Sequence, residues 1–241
     1  MEQLQWLGVV RHGQSTGNVT AEDAEVAGLE AIDIPERDAD VPLSDLGREQ
    51  AAALGRRLAA MDDDRPEIAI VSPYLRTRQT AEIALSGTGI EMVVDERVRD
   101  RELGVLDLLT GRGVIARLPD EAARRRRLGK FYYRPPGGES WADVLLRLRA
   151  VLREVREDHP DGRVLVFAHE ATVLLVRYLA ERLGEAELME VARSTSIANA
   201  SLSTWRRVDG ELKPELFNHV EHLHAEGTPP TRQEDVNAEP V

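Results

Sequence analysis

Short apolar segments alternate along this chain with amphipathic segments at helical spacing, and this alternation constrains the fold more than any other feature. The apolar runs have the length of buried β-strands and are far below the ~20 residues of a membrane span. In residues 141–155, apolar side chains recur every three or four positions, as on one face of a helix. Strands that alternate with helices predict an α/β domain with a mainly parallel central sheet and an antiparallel edge strand.

Hydrophobic periodicity and turn residues place the individual elements. Strands are predicted at 4–10, 68–71, 90–94, 163–168, 201–207 and 211–217, the last two forming a hairpin. Helices are predicted at 45–61, 76–85, 118–130, 141–155 and 171–183, with Ser44 as one N-cap and Ser140 with Asp143 as a capping box. Residues 19–40 are expected to form an acidic surface loop, with a short helix within it as the alternative, residues 104–113 a second loop, and 62–66 a turn. We expect one domain over residues 1–224 and a disordered tail over 225–241.

Composition excludes several classes of function. The chain has 241 residues, no Cys and a formal net charge of −12. Without Cys there is no disulfide framework, thiolate metal site or cysteine nucleophile. The negative charge disfavours binding of nucleic acid by the overall field. The N-terminus lacks the features of a signal peptide, so we expect a cytoplasmic protein, monomeric or homodimeric, with no nucleic-acid or membrane partner.

Charged side chains follow the ends of three predicted strands. The first strand is followed by Arg11 and His12, the second by Ser72 with Arg76 just beyond, and the strand at 163–168 by His169. In an open α/β sheet, ligands bind outside the carboxyl ends of the strands, so these residues are expected to converge. The pattern therefore predicts an anion site.

Phosphoryl transfer needs these residue types. A neutral imidazole such as His12 can attack phosphorus, while flanking guanidiniums hold the equatorial oxygens. Gly13 allows a tight turn beside the nucleophile, and Ser15 and Asn18 can donate further hydrogen bonds. A carboxylic acid must then protonate the leaving alcohol and, as the carboxylate, activate the attacking water.

Ordered motifs carrying these residues resemble a known family. They are Arg11-His12-Gly13-Gln14-Ser15-Thr16-Gly17-Asn18, Pro42-Leu43-Ser44-x-x-Gly47-x-x-Gln50-Ala51, Ser72-x-x-x-Arg76-x-x-x-Thr80-Ala81, Gly138-Glu139-Ser140, and His169. Together they are similar to the histidine phosphatase superfamily, which includes phosphoglycerate mutases and fructose-2,6-bisphosphatases. The resemblance covers residues 5 to 220 or so.

The resemblance implies a three-layer α/β/α fold and a phosphatase that needs no metal or cofactor. It implies that His12 is the phosphorylated nucleophile and that Arg11, Arg76 and His169, with Asn18, hold the phosphate. In the family, the proton donor is a Glu four residues before a Gly. Here that position, counted back from Gly104, is Asp100, and Glu102 is the alternative because both point the same way in an extended segment.

Other residues predict which phosphorylated substrate the site accepts. Glu170 stands where the mutases have Gly and the bisphosphatases Gln, and a carboxylate facing the pocket would repel a second phosphate. Residues 130–143 are most similar to the bisphosphatase branch, in which basic residues matching Arg126 and Lys130 help to hold the sugar phosphate. Leu174, however, stands where that branch has Arg.

Three functions follow as hypotheses. The first is a phosphomonoesterase for small phosphorylated metabolites, with sugar phosphates as candidates and His12 as the nucleophile. The second is a 2,3-bisphosphoglycerate-dependent phosphoglycerate mutase, although the insert that mutases carry after Asn18 is replaced here by the acidic segment 19–40. The third is a non-catalytic phosphate-binding module. Retention of the arginine and histidine set disfavours the third hypothesis.

Overall fold

The computed structural model describes residues 4–61 and 65–232, and within these ranges the chain forms a six-stranded sheet flanked by helices. The strands are Trp6–Arg11 (β1), Ile68–Val71 (β2), Glu91–Val94 (β3), Arg163–Ala168 (β4), Leu202–Val208 (β5) and Glu211–His219 (β6). The helices are Thr16–Val26 (α1), Asp45–Ala59 (α2), Leu75–Ala84 (α3), Gly111–Arg117 (α4), Pro119–Tyr132 (α5), Trp141–Asp158 (α6), Glu170–Glu181 (α7), Glu185–Ser194 (α8) and Glu221–Ala225 (α9). The predicted α/β class is confirmed.

The strand order across the sheet is β3-β2-β4-β1-β5-β6. Strands β3, β2, β4 and β1 are parallel, β5 is antiparallel to β1, and β6 pairs antiparallel with β5 at the edge. The predicted mainly parallel sheet with an antiparallel edge pairing is therefore confirmed. Because β1 and β4 are central neighbours, the loops that follow them are also neighbours.

Alternation along the central strands builds one apolar core on each face of the sheet. In β1, Leu7 and Val9 belong to one core, whereas Trp6 and Val10 belong to the other. Helices α6 and α7 cover the first face, and α2 and α3 cover the second. Strands buried on both faces are expected to be continuously apolar because neither face meets water, and β1 is apolar up to Val10 and β4 from Val164 onward.

Side-chain caps begin the two longest helices where the sequence predicts them. The Ser44 hydroxyl accepts a hydrogen bond from the Gly47 amide at the start of α2. Ser140 and Asp143 form a reciprocal capping box at the start of α6. Each cap satisfies amide groups that the helix itself leaves unpaired.

At four places the structure refines, extends or corrects the sequence prediction. In the acidic segment, residues 19–26 belong to α1, so the structure has the helix that was the alternative to a loop; the Ser15–Asn18 capping box starts it even though its apolar face is narrow. The loop expected at 104–113 is only partly a loop, since α4 begins at Gly111 with Thr110 as its cap. The sequence reading gave no helix at α8, which covers the first core with Leu188 and Met189.

The fourth of these places is the C-terminal segment. Residues 225–232 are not a disordered tail, because two hydrogen bonds hold them to the domain. The Gln50 side chain donates to the Pro229 carbonyl at 3.0 Å, and the backbone N–H of Asn199 donates to the Thr231 carbonyl at 2.9 Å. Polar contacts of this kind leave no apolar pattern in the sequence. The rest of that predicted tail, 233–241, and positions 62–64 of the predicted turn lie outside the described residues.

Candidate active site

The parallel register of β1 and β4 brings two histidines together. Arg11 pairs with Ala168 across the two strands, so the next residues, His12 and His169, are side by side. Their ring centroids are 5.3 Å apart, and the rings meet edge to face. Both side chains are almost fully buried, at 4% and 1% exposure.

A backbone contact orients the imidazole of His12. Its Nδ1 lies 2.7 Å from the Gly13 carbonyl oxygen, which can only accept a hydrogen bond. Nδ1 therefore carries the proton, and Nε2 keeps its lone pair. A neutral imidazole in this tautomer has the nitrogen that a nucleophile requires.

The loop after β1 is held by side chains from α2 and α3. The Gly13 amide donates to Thr80 Oγ1 at 3.0 Å, and the Gln14 amide donates to Gln50 Oε1 at 2.9 Å. A Cβ at Gly47 would lie 1.9 Å from the Gln14 carbonyl oxygen, so only glycine permits this approach. Here Gly13, predicted to allow a tight turn, packs against Gly47 and does not itself line the cavity.

Arg11 extends from the end of β1 into the cavity and is 3% exposed. Its guanidinium donates to the Ile197 carbonyl, and its Nη1 lies 3.6 Å from the carboxylate of Glu170. The same carboxylate accepts from the Ile197 amide at 3.1 Å. Within the described residues, the buried Nε of Arg11 has no hydrogen-bond partner. These contacts hold the Arg11 guanidinium in place and leave its Nε–H as a donor for a ligand.

Arg76 lies near the start of α3 between two carboxylates. Its Nη1 donates to the Asp38 carboxylate at 2.9 Å and to the Asp38 carbonyl at 2.6 Å. Its Nη2 donates to Asp100 Oδ2 at 3.1 Å. Asp38 belongs to a short 3₁₀ turn in the segment that was predicted to be an acidic surface loop. The charge of Arg76 is therefore balanced by the carboxylates of Asp38 and Asp100.

His169 completes the group from the end of β4. Its Nε2 lies 2.8 Å from Ser72 Oγ, and its Nδ1 lies 3.2 Å from Asp100 Oδ2. In the described structure, the buried Nδ1 makes no aligned hydrogen bond. Nδ1 therefore faces the Asp100 carboxylate, and His169 packs behind His12 without lining the cavity itself.

Burial and charge set the protonation states. Burial lowers the pKa of His12 well below its ordinary value, and the nearby Arg76, His169 and Arg11 lower it further. Burial likewise lowers the pKa of His169, although Asp100 opposes the shift. Burial raises the pKa of Asp100, but His169 and Arg76 outweigh it and hold that pKa well below the usual range. These directions favour neutral histidines and an ionised Asp100 near neutral pH.

The remaining predicted site residues divide into two groups. Ser15, Asn18, Lys130 and Glu170 line the cavity. The Nζ of Lys130 lies 4.8 Å from the centre of the Trp141 ring, a cation–π contact that fixes it at the wall. Other predicted residues lie outside: Glu102 and Arg126 are exposed and absent from the cavity wall. The Glu102 carboxylate contacts Tyr74 and Arg99 instead.

Several contacting residues were missed by the sequence reading. Asp38 pairs with Arg76, and the Asn199 side chain donates to the His12 carbonyl at 3.2 Å and to Asn18 Oδ1 at 3.3 Å. Neither residue follows a strand or belongs to a quoted motif. Only the backbone path that brings residues 38 and 199 to this end of the sheet identifies them.

The cavity has a volume of about 910 Å³ and a wall of mixed charge. Six basic residues line it: Arg11, Arg76, Arg101, Arg112, Lys130 and Arg193. Six acidic residues line it: Glu25, Glu36, Asp38, Asp100, Asp107 and Glu170. This space accommodates a small organic molecule, and its balanced charge offers hydrogen bonds to polar neutral groups as well as to a phosphate.

The part of the chain that the structure describes, residues 4–61 and 65–232, lacks two features. In that part of the chain, no helix is both long and apolar enough to pass through a bilayer. In the same ranges, no cluster of three or more His, Asp or Glu side chains has the arrangement of a metal site. His222 is buried, and its Nε2 lies 3.0 Å from the Ala200 carbonyl oxygen.

The fold and these side chains define a class: an α/β protein with a buried histidine and two arginines around an anion site at the carboxyl end of a parallel sheet. The family model of the histidine phosphatase superfamily (branch 1) matches residues 7–220. The chain belongs to this superfamily, whose members are phosphatases or mutases.

Curated relatives and solved structures give the same family. The chain is 30% identical over 210 residues to "Probable phosphoglycerate mutase GpmB" of Yersinia enterocolitica, covering 86% of each chain. It is 31% identical over 163 residues to "Phosphoglycerate mutase-like protein AT74H" of Arabidopsis thaliana, covering 62% of this chain and 53% of that protein. The mycobacterial glucosyl-3-phosphoglycerate phosphatase in complex with VO3 is similar in structure, with a TM-score of 0.71, 26% identity and coverage of 89% and 98%.

Proposed function

We propose that this protein is a metal-independent phosphomonoesterase that acts on small phosphorylated metabolites through a phosphohistidine at His12. The observation that carries the proposal is the hydrogen bond from His12 Nδ1 to the Gly13 carbonyl, which leaves Nε2 unprotonated beside two buried arginines. A neutral nucleophile next to fixed cations suits attack on a phosphate dianion.

In the first step, His12 Nε2 attacks phosphorus and forms the N–P bond while the bond between phosphorus and the ester oxygen breaks. Arg11 and Arg76, which line the cavity beside His12, hold equatorial oxygens, and the Nδ1 proton of His169, which faces Asp100, is the third donor. Preorganised donors of this kind stabilise the charge of the transition state without reorganisation.

Asp100 supplies the proton that the leaving alkoxide takes. The Asp100 carboxylate contacts Arg76 and His169, which are also the proposed partners of the phosphate. An incoming phosphate dianion therefore competes with Asp100 for these partners, and it also adds negative charge beside Asp100. Both effects raise the pKa of Asp100 in the complex, although its pKa is low in the free protein. In the second step, the Asp100 carboxylate takes a proton from water, whose oxygen attacks phosphorus; the N–P bond breaks and phosphate leaves.

The cavity wall favours a monophosphate of a polyhydroxylated molecule. Glu170 faces the cavity beside Arg11, so a second phosphate there would meet a carboxylate. The equal numbers of basic and acidic side chains suit hydroxyl groups, which both donate and accept hydrogen bonds. A phosphatase of a glycosylated substrate among the structural relatives supports this class.

The test is phosphate release in EDTA from p-nitrophenyl phosphate, several sugar phosphates and 3-phosphoglycerate. We expect turnover by the wild type and a loss of at least ~10³-fold in His12→Ala. The control is Thr16→Ala, which alters an exposed side chain four residues after His12. Rapid quench followed by mass spectrometry at neutral pH should detect phosphate on residue 12. Full turnover by His12→Ala would refute the nucleophile.

Mutase activity is the second candidate because curated relatives carry that name. A mutase returns the phosphoryl group from histidine to the product instead of to water. Incubation of 3-phosphoglycerate with a trace of 2,3-bisphosphoglycerate separates the two: isomerisation without release of phosphate indicates a mutase. Release of phosphate without isomerisation supports the phosphatase.

A further inference from the structure

A second cavity of about 580 Å³ lies at the opposite end of the sheet from His12. It is formed by the second half of α6, the C-terminal end of α7 and the first residues of β6. Helix α7 separates the two cavities: it begins at Glu170 in the first and its last residue, Glu181, lines the second. Its 12 residues give a separation of about 18 Å.

Three arginines of α6 face this second cavity at positions i, i+4 and i+7, namely Arg149, Arg153 and Arg156. Among the described residues, none of their guanidiniums has a hydrogen bond or ion pair, although the chain carries an excess of acidic residues. The Nε of Arg156 is shielded from solvent and has no acceptor. Like charges at this spacing repel, and a shielded unpaired donor is costly, so an anion here would relieve both penalties.

The carboxylates in the wall do not neutralise these arginines. Glu181 accepts from Trp205 Nε1 at 3.0 Å and pairs with Arg177 at 3.2 Å. Glu211 pairs with Lys213 at 2.6 Å and with Arg182 at 3.3 Å. The wall therefore has an uncompensated positive charge from the α6 arginines.

The floor of the second cavity is apolar. Leu152 and Leu212 are each 5% exposed, and Leu179, Leu183 and Pro214 extend the same surface. The guanidiniums follow the helix at about 6 and 10 Å along its axis, which is more than one phosphate spans. A ligand that satisfies both features has several phosphates in a chain and a planar apolar group.

We propose that this second cavity binds a nucleoside triphosphate, with the phosphates on Arg149, Arg153 and Arg156 and the base on the leucine and proline floor. Guanidiniums bind phosphate through paired charge-assisted hydrogen bonds, and the volume matches that of small-ligand sites. The site is separate from the catalytic cavity, and its existence does not depend on the proposed phosphatase activity.

The experiment is calorimetric titration in EDTA with the non-hydrolysable probe adenosine 5′-(β,γ-imido)triphosphate. We expect one binding site in the wild type and at least a tenfold weaker affinity in Arg149→Ala/Arg153→Ala/Arg156→Ala. Arg48→Ala/Arg127→Ala, which removes exposed charges from α2 and α5, is the control and should bind within twofold of the wild type. Adenosine alone should bind more weakly than the probe, and inorganic tripolyphosphate should lie between them.

Equal affinity in the wild type and the triple variant would place the probe elsewhere and overturn the proposal. The absence of saturable binding heat in the wild type would also overturn the proposal, because the three arginines would then be ordinary surface residues of α6. Circular dichroism checks that the triple variant folds. The single variant Arg153→Glu repeats the comparison of affinities with the wild type, and it reverses the charge of only one exposed side chain.

Discussion

Asp38 Oδ1 lies 2.9 Å from Nη1 of Arg76, so the guanidinium proposed to hold the phosphate already has a carboxylate partner. The Asp38 side chain is 46% exposed, whereas that of Arg76 is 6% exposed. Because the Asp38 carboxylate is half exposed, water can replace part of its contact with the buried guanidinium. An incoming phosphate is therefore expected to replace Asp38 on Arg76.

Asp38→Asn removes this competing charge. We expect the inhibition constant of inorganic phosphate to fall roughly threefold to tenfold, because partly exposed ion pairs contribute about 1 kcal/mol. The KM for phosphate esters should fall with it. Asp40→Asn, which breaks only a surface pair with Arg37, is the matched control. Weaker phosphate binding in Asp38→Asn would show that Asp38 supports Arg76 and does not compete.

Asp100→Asn tests the proton donor. We expect losses of roughly 10²–10⁴-fold in kcat on sugar phosphates, whose leaving alkoxide needs a proton, and less than about tenfold on p-nitrophenyl phosphate. Glu102→Gln is the control, because its carboxylate lies outside the cavity. Equal losses on both substrates would remove Asp100 from this role, and a selective loss in Glu102→Gln would transfer the role there.

Glu170→Gln tests the exclusion of a second phosphate. The amide keeps the size of the side chain and an acceptor for the Ile197 amide, but it removes the charge beside Arg11. We expect kcat/KM for a bisphosphorylated ester to rise about tenfold relative to its monophosphate, since tenfold corresponds to ~1.4 kcal/mol. Glu36→Gln, at another part of the cavity wall, is the control. An unchanged ratio would mean that Glu170 does not select the substrate.

Acid lability should arise in part from His222. Burial lowers the pKa of this histidine to about 4, against an ordinary value of 6.5. Below pH 6.5 the unfolded chain takes up this proton first, so the free energy of unfolding falls as the pH falls towards 4, by up to about 3 kcal/mol from this group.

His222→Gln retains a donor for the Ala200 carbonyl and cannot be charged. Urea unfolding at pH 7.5, 5.5 and 4.5 should show a shallower loss of stability in this variant than in the wild type. His224→Gln, an exposed neighbour, should follow the wild type. Parallel curves for all three proteins would rule out His222 as a source of the acid lability.

Gly47→Ala tests the contact that supports the nucleophile loop. The added Cβ would lie 1.9 Å from the Gln14 carbonyl oxygen, so α2 or the loop must move. We expect a loss of about 2–4 kcal/mol in the free energy of unfolding and a lower kcat, measured by urea denaturation and by turnover. Unchanged stability and kcat would show that the backbone accommodates the methyl group without displacing His12.

The fold and the centre of the site could be predicted from local sequence. Buried strands are apolar throughout and helices are amphipathic, so the α/β class follows from residue order alone. His12 and His169 directly follow such strands, and parallel pairing of β1 with β4 is enough to bring them together. Caps such as Ser44 depend on contacts three residues apart and are equally local.

Contacts between distant residues were decided only by the tertiary structure. Asp38 meets Arg76 across 38 positions, and Asn199 reaches the His12 carbonyl across 187. Likewise, Gln50 holds residues 229 and 231, which composition alone assigns to a tail. Sequence alone left Asp100 and Glu102 as alternatives, whereas the structure places only Asp100 at the cavity wall. Local pattern determines burial and secondary structure, but the path of the backbone in three dimensions decides which polar groups meet.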